Sequence, residues 1–512
     1  MKTAKEHLSK YSKQYIVVSI AFLFLLHLAG LNQSLWLDEA TSAKVVMKYN
    51  PFEIVKIFSP YDFHPSGYYI VLWVWSKVFG TSEIALRSLS LLAMFASCIP
   101  IYLSLQIISK EKYRTPLIGI MVFLTQPLIW YYSHEARMYS LVVFYLSVYT
   151  YCFIYLNNSN KVSCCSPAFC GSLPKHEKSP VPFDGLRANL NQAKGDTEVD
   201  KNFVMLSLPK HERSRVIIVL AIFFGALSIL TFYGSVLYIA GLILTSIVVR
   251  KYKVAILLGI GPAVGALIVL PLLLSQLSYA KQALLTVVNW SQVLGVVSPK
   301  NIILIPLKFV TGRISLESKK LYYSLFGINL TLLIYIFAYT RRSFRQYLWI
   351  VLLLVFPIIF AIVISFGEPM LSYFRLLYIA IPLTLLLAIA LSRSNKYLVV
   401  IVIMVQLIWS LTYALNPNYH REDWKTLAAN MDTKDVYMIP SSSDPLAFYN
   451  SKVNIKSLKT DITNIKENKI VVIPYTSEIH GVDYRKILVS QKFSLTKEYS
   501  YRGGLTKEVW GK

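Results

Sequence analysis

The sequence has few cysteines, and their spacing does not match a ligand set. Five occur among 512 residues, at positions 98, 152, 164, 165 and 170. Two lie in apolar runs and three in one polar stretch without suitably placed histidines, so neither a disulfide framework nor a zinc site is predicted. The first apolar run also lacks a small-residue cleavage site, which favours a retained signal anchor.

Charged residues are scarce as well. They make up 15% of the chain, whereas 55% of the residues are hydrophobic and 14% are aromatic. The net charge is +25, but the lysines and arginines mostly form short clusters between apolar runs, as the positive-inside rule describes. This pattern predicts a polytopic membrane protein with lipid head groups as partners, and it argues against nucleic acid.

Apolar runs of roughly 17 to 25 residues are long enough to span a bilayer as helices. Eleven such runs predict an α-helical polytopic membrane protein. They cover residues 15–31, 84–108, 115–132, 138–156, 215–232, 234–250, 254–274, 321–339, 346–366, 374–392 and 397–414.

The basic turns give this bundle an orientation in the cell membrane. With the basic N-terminus in the cytoplasm, the turns 110–114, 250–253, 341–345 and 393–396 all fall on the cytoplasmic side. Residues 32–82, residues 275–320 and the tail after residue 415 are then predicted at the outer face. Residues 68–75 form an aromatic segment too short to span, which suits an interfacial helix or an ordinary aromatic belt.

Residues 157–215 differ from their surroundings in being polar and rich in proline. The hexamer Ser-Leu-Pro-Lys-His-Glu occurs at 172–177 and again at 207–212. A repeat of this kind within a predicted cytoplasmic loop indicates a disordered insertion without a core. His176 and His211 could bind a metal together, but no fixed scaffold supports that alternative.

The chain divides into a membrane domain, residues 1–415, and a small outer domain, residues 416–512. After the last apolar run, residues 421–428 predict a helix, and residues 436–439 and 470–474 predict short buried strands. An extracytoplasmic α/β domain is therefore expected. The serine-rich run 441–443 has no nucleophile elbow and is interpreted as a loop and helix cap.

Four polar islands lie at the predicted outer ends of the spans. Two acids come first, Asp38 and Glu39, and the others occupy residues 62–66, 133–139 and 368–375. A folded bundle could bring them together. The alternative for Asp38 and Glu39 is that both merely cap an interfacial helix.

The residue types suggest a division of labour. An aspartate at a wet membrane edge can accept a proton from an incoming hydroxyl, so Asp38 is the candidate catalytic base. Arg137 and Arg375 can bind a lipid phosphate as its negative charge develops, although snorkelling to head groups is their alternative.

For His64 the alternatives are metal ligation, acceptor positioning and a loop role. Asp38, Glu39, Asp62 and His64 could ligate a divalent cation, but no spacing selects one, and no metal ligand is assigned.

The motifs together resemble the protein O-mannosyltransferase and aminoarabinose transferase superfamily of polytopic glycosyltransferases. The resemblance covers most of the membrane region and the helix that opens the tail. Its motifs are Leu37-Asp38-Glu39-Ala40, His64-Pro65-Ser66-Gly67-Tyr68-Tyr69, the run 79–87, the run Ser133-His134-Glu135-Ala136-Arg137-Met138-Tyr139-Ser140, and Arg421-Glu422-Asp423-Trp424-Lys425.

The resemblance implies a GT-C type fold and a polyprenyl-phosphate sugar as donor. It makes Asp38 the general base with Glu39 beside it, and places Arg137 and Arg375 near the lipid phosphate; Tyr139, from the same island as Arg137, is assigned to that site. His64, with Asp62 and His134, is assigned to the acceptor or donor cleft. The acceptor would be a protein, a lipid or a polysaccharide. Ser66, where relatives commonly have proline, and the insertion 157–215 depart from the family pattern.

Two other functions fit a polytopic chain. A transporter or flippase of lipid-linked sugars predicts ionisable residues near span midpoints and broken helices in inverted repeats, and Gly259 to Gly265 with Pro262 is the best candidate for a break. A structural subunit would require the four polar islands to be unrelated.

Overall fold

The computed structural model describes residues 18–158, 210–289, 294–339, 347–463 and 465–512. Several features named above lie outside them, so the interpretations given for these features stay predictions. They are the basic N-terminus, Cys164, Cys165, Cys170, His176, the side chain of His211 and the basic turn 341–345.

Long apolar helices form most of the chain up to Leu415, and each of the eleven predicted runs overlaps one or two of them. Their bounds are Val18–Leu28, Glu83–Ser109, Arg114–Thr125, Pro127–Ser133, Tyr139–Asn158, Lys210–Thr231, Ser235–Val248, Tyr252–Thr286, Pro299–Thr311, Lys319–Tyr339, Leu348–Ser365, the 3₁₀ helix Tyr373–Ile379 running into Ala380–Ser392, and Lys396–Leu415. The helix that begins at Lys210 includes the last six residues of the predicted insertion.

Among the described residues, seven helices are long and apolar enough to cross a membrane, or eight if one bent pair counts as a single span. This confirms the predicted class, a helical multi-pass membrane protein. The count of eleven spans is not confirmed. Val18–Leu28 and Ser235–Val248 are apolar but shorter than a bilayer requires.

The run predicted as one span over 115–132 is broken. Arg114–Thr125 and Pro127–Ser133 meet at an angle of 62°. Pro127 is the physical cause, because proline cannot donate the backbone hydrogen bond that would continue the first helix. The short second helix contains the fully buried Trp130 and ends at Ser133, where the third polar island begins.

The segment 32–82, which the sequence predicts at the outer face and which is called the first outer loop below, is mostly helical. Its elements are Leu37–Lys48, Pro51–Glu53, the π-helical turn Ile54–Phe58, the 3₁₀ turn Ser59–Tyr61 and the helix Gly67–Phe79, which contains the predicted interfacial segment 68–75. Gly67 allows that helix to approach the bundle closely, since a Cβ atom there would collide with the carbonyl group of Leu230.

A small mixed sheet with short helices follows Leu415. The strands β1 Asp435–Met438, β2 Asn454–Ser457, β3 Lys469–Val472, β4 Ser494–Tyr501 and β5 Leu505–Gly511 have the order β2-β1-β3-β5-β4. β1 pairs in parallel with β2 and β3, while β5 is antiparallel to β3 and β4. β1 and β3 correspond to the two predicted strands. The main helices are Trp424–Ala429, Asp444–Tyr449 and Tyr484–Ser490.

The segment after Leu415 packs on the first outer loop. Asp444 forms an ion pair of 2.6 Å with Lys44 and accepts a hydrogen bond of 2.9 Å from the Thr41 hydroxyl. The backbone N–H of Leu35 donates to the Tyr449 hydroxyl at 2.8 Å. These contacts fix the helix Leu37–Lys48, which carries the two acids of the first island.

Candidate active site

Asp38 and Glu39 lie in the first turn of the helix Leu37–Lys48, where the positive end of the helix dipole favours acids. Successive helical residues point about 100° apart, so the two side chains meet different surroundings. The side chain of Asp38 is 37% exposed, whereas Glu39 is 1% exposed. Only Asp38 is open to a substrate.

Glu39 is fully engaged inside the protein. Arg87 donates to both of its carboxylate oxygens, at 2.8 and 2.6 Å, and the backbone N–H of Ala136 donates to the same carboxylate at 2.7 Å. Arg87 also donates to the carbonyl oxygens of Leu31, Gln33 and Ser34. This pair ties together the first outer loop, the helix Glu83–Ser109 and the third island.

Asp38, Arg137 and His64 form one cluster drawn from three of the four islands. A terminal nitrogen of Arg137, Nη2, lies 3.3 Å from Asp38 Oδ2 and 3.1 Å from His64 Nε2. Because arginine can only donate, His64 Nε2 accepts, and the neutral ring carries its proton on Nδ1. Burial, and then the charges of Arg137 and Arg375, hold the pKa of His64 well below its usual range.

Asp62, two residues before His64 in the chain, has a different partner. It accepts a hydrogen bond of 2.8 Å from the Tyr69 hydroxyl. Burial raises the pKa of Asp62, and the positive charge of Arg137 opposes that rise. His64 therefore contacts Arg137 directly, whereas Arg137 acts on Asp62 through its charge.

The loop that carries His64 is held by a residue that the sequence did not single out. The amide of Gln276 donates to the backbone carbonyls of Ser59 and His64, at 2.7 and 2.8 Å. The Tyr233 hydroxyl donates to the Gln276 amide oxygen at 2.6 Å. The only available signal was a polar side chain near the end of a long apolar helix, where such residues are costly and usually paired.

Arg375 and Tyr139 both pack against Phe374. Arg375 donates to the Leu294 carbonyl at 3.1 Å, and its guanidinium lies 5.7 Å from the ring of Phe374. The ring of Tyr139 contacts Phe374 and Phe232. The positive charge of Arg375 contributes to the lowered pKa of His64.

His134 is placed elsewhere. It is buried, and its Nε2 donates to the backbone carbonyl of His27 at 2.7 Å. Its ring lies near Tyr413 and Trp130. In this position His134 attaches the third island to the first apolar helix, and no described contact joins it to Asp38 or His64.

A second arginine pair, Arg313 and Arg421, was not assigned a role from the sequence. Arg421 belongs to the motif that opens the tail, and Arg313 follows the helix Pro299–Thr311. Both donate to the hydroxyl of Tyr131. No local signal links them, because 108 positions separate 313 from 421 in the sequence.

The sequence offers Asp38, Glu39, Asp62 and His64 as possible ligands of a divalent cation. Within the part of the chain that the structure describes, no three His, Cys, Asp or Glu residues lie close enough together to hold a metal ion.

Known structures share this architecture. ArnT from Cupriavidus metallidurans matches in the apo state with a TM-score of 0.59 and 11% identity, over 98% of both chains. The same enzyme bound to undecaprenyl phosphate matches with a TM-score of 0.56 and 11% identity, over 97% of both chains. The archaeal oligosaccharyltransferase AglB from Archaeoglobus fulgidus, in complex with an inhibitory peptide and a dolichol-phosphate, matches with a TM-score of 0.51 and 12% identity, over 97% of this chain and 74% of AglB.

Comparison by sequence finds no match, either among family models or among curated proteins. The structural match extends over nearly the whole length of the chain, and it agrees with the GT-C type fold that the sequence resemblance implied. At this level of identity the similarity defines the fold. The chain has the GT-C fold of polytopic membrane glycosyltransferases.

Proposed function

We propose that this protein is a membrane glycosyltransferase, which moves a sugar from a polyprenyl-phosphate donor to an acceptor hydroxyl at the outer face of the membrane. The observation that carries the proposal is the cluster of Asp38, Arg137 and His64. One carboxylate oxygen of Asp38 is held by Arg137, and the partly exposed side chain leaves the other oxygen for an acceptor. The residues 416–512 would form an outer domain that covers this site.

The reaction is a substitution at the anomeric carbon. The acceptor oxygen forms a bond to that carbon and transfers its proton to Asp38, while the bond from the anomeric carbon to the phosphate oxygen breaks. The electron pair leaves with the polyprenyl phosphate, and the configuration inverts. A positioned base contributes typically 10²–10⁴-fold to such a step.

Arg137 and Arg375 are suited to stabilise the leaving phosphate, because preorganised cations act where negative charge develops. Arg137 is buried and already fixed by Asp38 and His64, so little reorganisation is needed. Tyr139 would complete this phosphate site. Asp62 and His64 would shape the cleft, whereas Glu39 would support it through Arg87.

A cavity supports a lipid-linked donor. It has a volume of about 400 Å³ and is lined mainly by apolar side chains of the helices Pro299–Thr311, Lys319–Tyr339, Leu348–Ser365, Ala380–Ser392 and Lys396–Leu415. Neither Asp38 nor Arg137 lines it, but Ile379 does, and Ile379 belongs to the same short helix as Arg375. A polyprenyl chain in this cavity would place its phosphate toward Arg375.

Replacement of Asp38 by Asn tests the proposal. The variant should insert, fold and bind polyprenyl phosphate as the wild type does, but its transfer rate should fall at least 100-fold. Asp432→Asn is the control, because that side chain is 84% exposed and remote in sequence. Wild-type transfer by Asp38→Asn would reject the assignment. Lipid-linked sugar movement without any transfer by the wild type would favour a flippase.

A further inference from the structure

Two arginines converge on one buried hydroxyl beside the candidate active site. Arg421 Nε donates to the Tyr131 hydroxyl oxygen at 2.8 Å, and Arg313 Nη1 donates to the same oxygen at 3.1 Å. The guanidinium of Arg421 lies 3.7 Å from the centre of the Trp36 ring, and that of Arg313 lies 5.0 Å from the Tyr131 ring. Stacking on aromatic rings fixes both cations in place.

This pair carries an excess of positive charge. Among the described residues, no carboxylate lies within 4 Å of either guanidinium, although buried cations are normally paired. Glu135 acts on both arginines electrostatically, but its Oε2 atom is buried without a hydrogen-bond partner and burial raises its pKa to about 7. Near neutral pH it therefore neutralises at most part of the two charges.

The arginines are only partly buried, so a ligand can reach the nitrogens that do not contact Tyr131. A guanidinium offers five donors in a planar fork that matches the oxygens of phosphate and carboxylate. Each of these arginines uses one donor for Tyr131. Two forks held side by side can bind one oxyanion together.

The position of the pair connects it with both proposed substrates. Trp36 immediately precedes the helix that carries Asp38. Burial raises the pKa of Tyr475, and the charges of Arg421 and Asp38 both act on it, in opposite directions. On the other side, the helix Pro299–Thr311 lines the apolar cavity and ends two residues before Arg313.

We propose that Arg313 and Arg421 form a second oxyanion-binding site, distinct from Arg137 and Arg375, which takes a phosphate-class group. The Tyr131 hydroxyl positions the two guanidinium groups. Binding of the oxyanion does not require transfer activity. Whether the donor or the acceptor carries this group rests on the proposed function.

Binding of inorganic phosphate to the purified full-length protein in detergent tests the site. Phosphate should raise the unfolding temperature of the wild type, and its apparent dissociation constant should rise about tenfold in Arg313→Gln and in Arg421→Gln, since each loses charge-assisted hydrogen bonds. Arg313→Lys should retain more affinity than Arg313→Gln. In an Asp38→Asn background, Arg313→Gln should still lower the phosphate affinity about tenfold, which separates this proposal from the transfer reaction.

Arg393→Gln is a matched control, because Arg393 donates to the Tyr347 hydroxyl at 2.7 Å in a similar arrangement with a single arginine. It should leave the phosphate affinity unchanged. Tyr131→Phe keeps both arginines and should weaken binding by two- to threefold, so it remains informative if Arg421→Gln does not fold. A wild type that phosphate does not stabilise, or variants with unchanged affinity, would overturn the proposal, as would an equal loss in Arg393→Gln.

Undecaprenyl phosphate in detergent micelles then identifies the source of the group. If Arg313→Gln and Arg421→Gln weaken its binding as they weaken that of inorganic phosphate, the site takes the phosphate of the donor lipid. If only Arg137→Gln weakens its binding, the oxyanion belongs to the acceptor. Both results support an oxyanion site at Arg313 and Arg421.

Discussion

Glu39 and Arg87 form two parallel hydrogen bonds, of 2.8 and 2.6 Å, inside the bundle. The pair is buried on both sides, and the side chains are 1% and 3% exposed. A carboxylate in this position is occupied, so it cannot accept a proton from a substrate without losing its partner. The two neighbouring acids of the first island therefore differ: Glu39 supports the structure, whereas Asp38 is partly exposed.

Glu39→Gln should destabilise the protein before it alters the chemistry. Removal of one partner leaves the charge of Arg87 buried and unpaired, which costs roughly 3–5 kcal/mol. The expected result is a lower unfolding temperature in detergent and less protein in the membrane. The double variant Glu39→Gln, Arg87→Met removes the stranded charge and should recover part of the stability. An equally stable single variant with no transfer activity would show instead that Glu39 acts in catalysis.

Arg137→Lys tests whether transfer requires a planar guanidinium that contacts both Asp38 and His64. Arg137 contacts Asp38 and His64 with the same nitrogen, whereas a lysine ammonium is a point charge on a flexible stem. We expect kcat to fall ten- to 100-fold in transfer assays, with a smaller change in KM for the lipid donor. Arg393→Lys serves as the control outside the cluster. Wild-type kcat in Arg137→Lys would mean that charge alone suffices.

The sequence predicted most of the helical architecture because hydrophobicity is a local property. Runs of apolar residues placed each long helix, and Pro127 was a visible signal of the bend that the span count missed. The sequence also singled out the adjacent acids Asp38 and Glu39. It could not predict that Glu39 is buried and paired while Asp38 is partly exposed, because this difference depends on Arg87, which lies 48 residues from Glu39.

The rest of the candidate site depends on contacts that are distant in sequence. Gln276 reaches the His64 loop across 212 residues, and the Tyr131 hydroxyl joins arginines that follow it by 182 and 290 residues. Hydropathy and short motifs do not encode such pairs. Strands β2, β4 and β5 were not predicted. β4 is mostly exposed, and its sequence resembles a polar loop; β5 is mostly buried, but its hydrogen-bonded partners β3 and β4 were not evident from its own sequence.

Gln276→Leu should loosen the loop that holds His64. The carbonyls of Ser59 and His64 would lose their common donor, at a cost of about 1–3 kcal/mol for buried unsatisfied groups. We expect a lower unfolding temperature and a lower kcat in the same variant. Tyr233→Phe removes only the hydrogen bond to the Gln276 amide oxygen and should show a smaller effect in the same direction. If Gln276→Leu keeps wild-type kcat, the position of His64 does not limit transfer.

Glu135 makes stability depend on pH in a defined direction. Burial raises its pKa from 4.5 to about 7, against the lowering effect of Arg421, Arg313 and Arg137, while Glu39 adds to the rise. The folded protein therefore binds more protons at this site than the unfolded chain between pH 4.5 and 7. The stability that Glu135 contributes is present below pH 4.5, falls as the pH rises to about 7, and stays lost above it.

Glu135→Gln cannot titrate, so its unfolding temperature relative to the wild type should increase from pH 5 to pH 8. The limiting difference in unfolding free energy is roughly 3 kcal/mol. Glu498→Gln, on an exposed strand position, is the control and should follow the wild type at every pH. Parallel pH profiles for the wild type and Glu135→Gln would contradict the prediction. They would also show that Glu135 is ionised in the folded protein and balances Arg313 and Arg421, which would leave less charge at that site for an oxyanion.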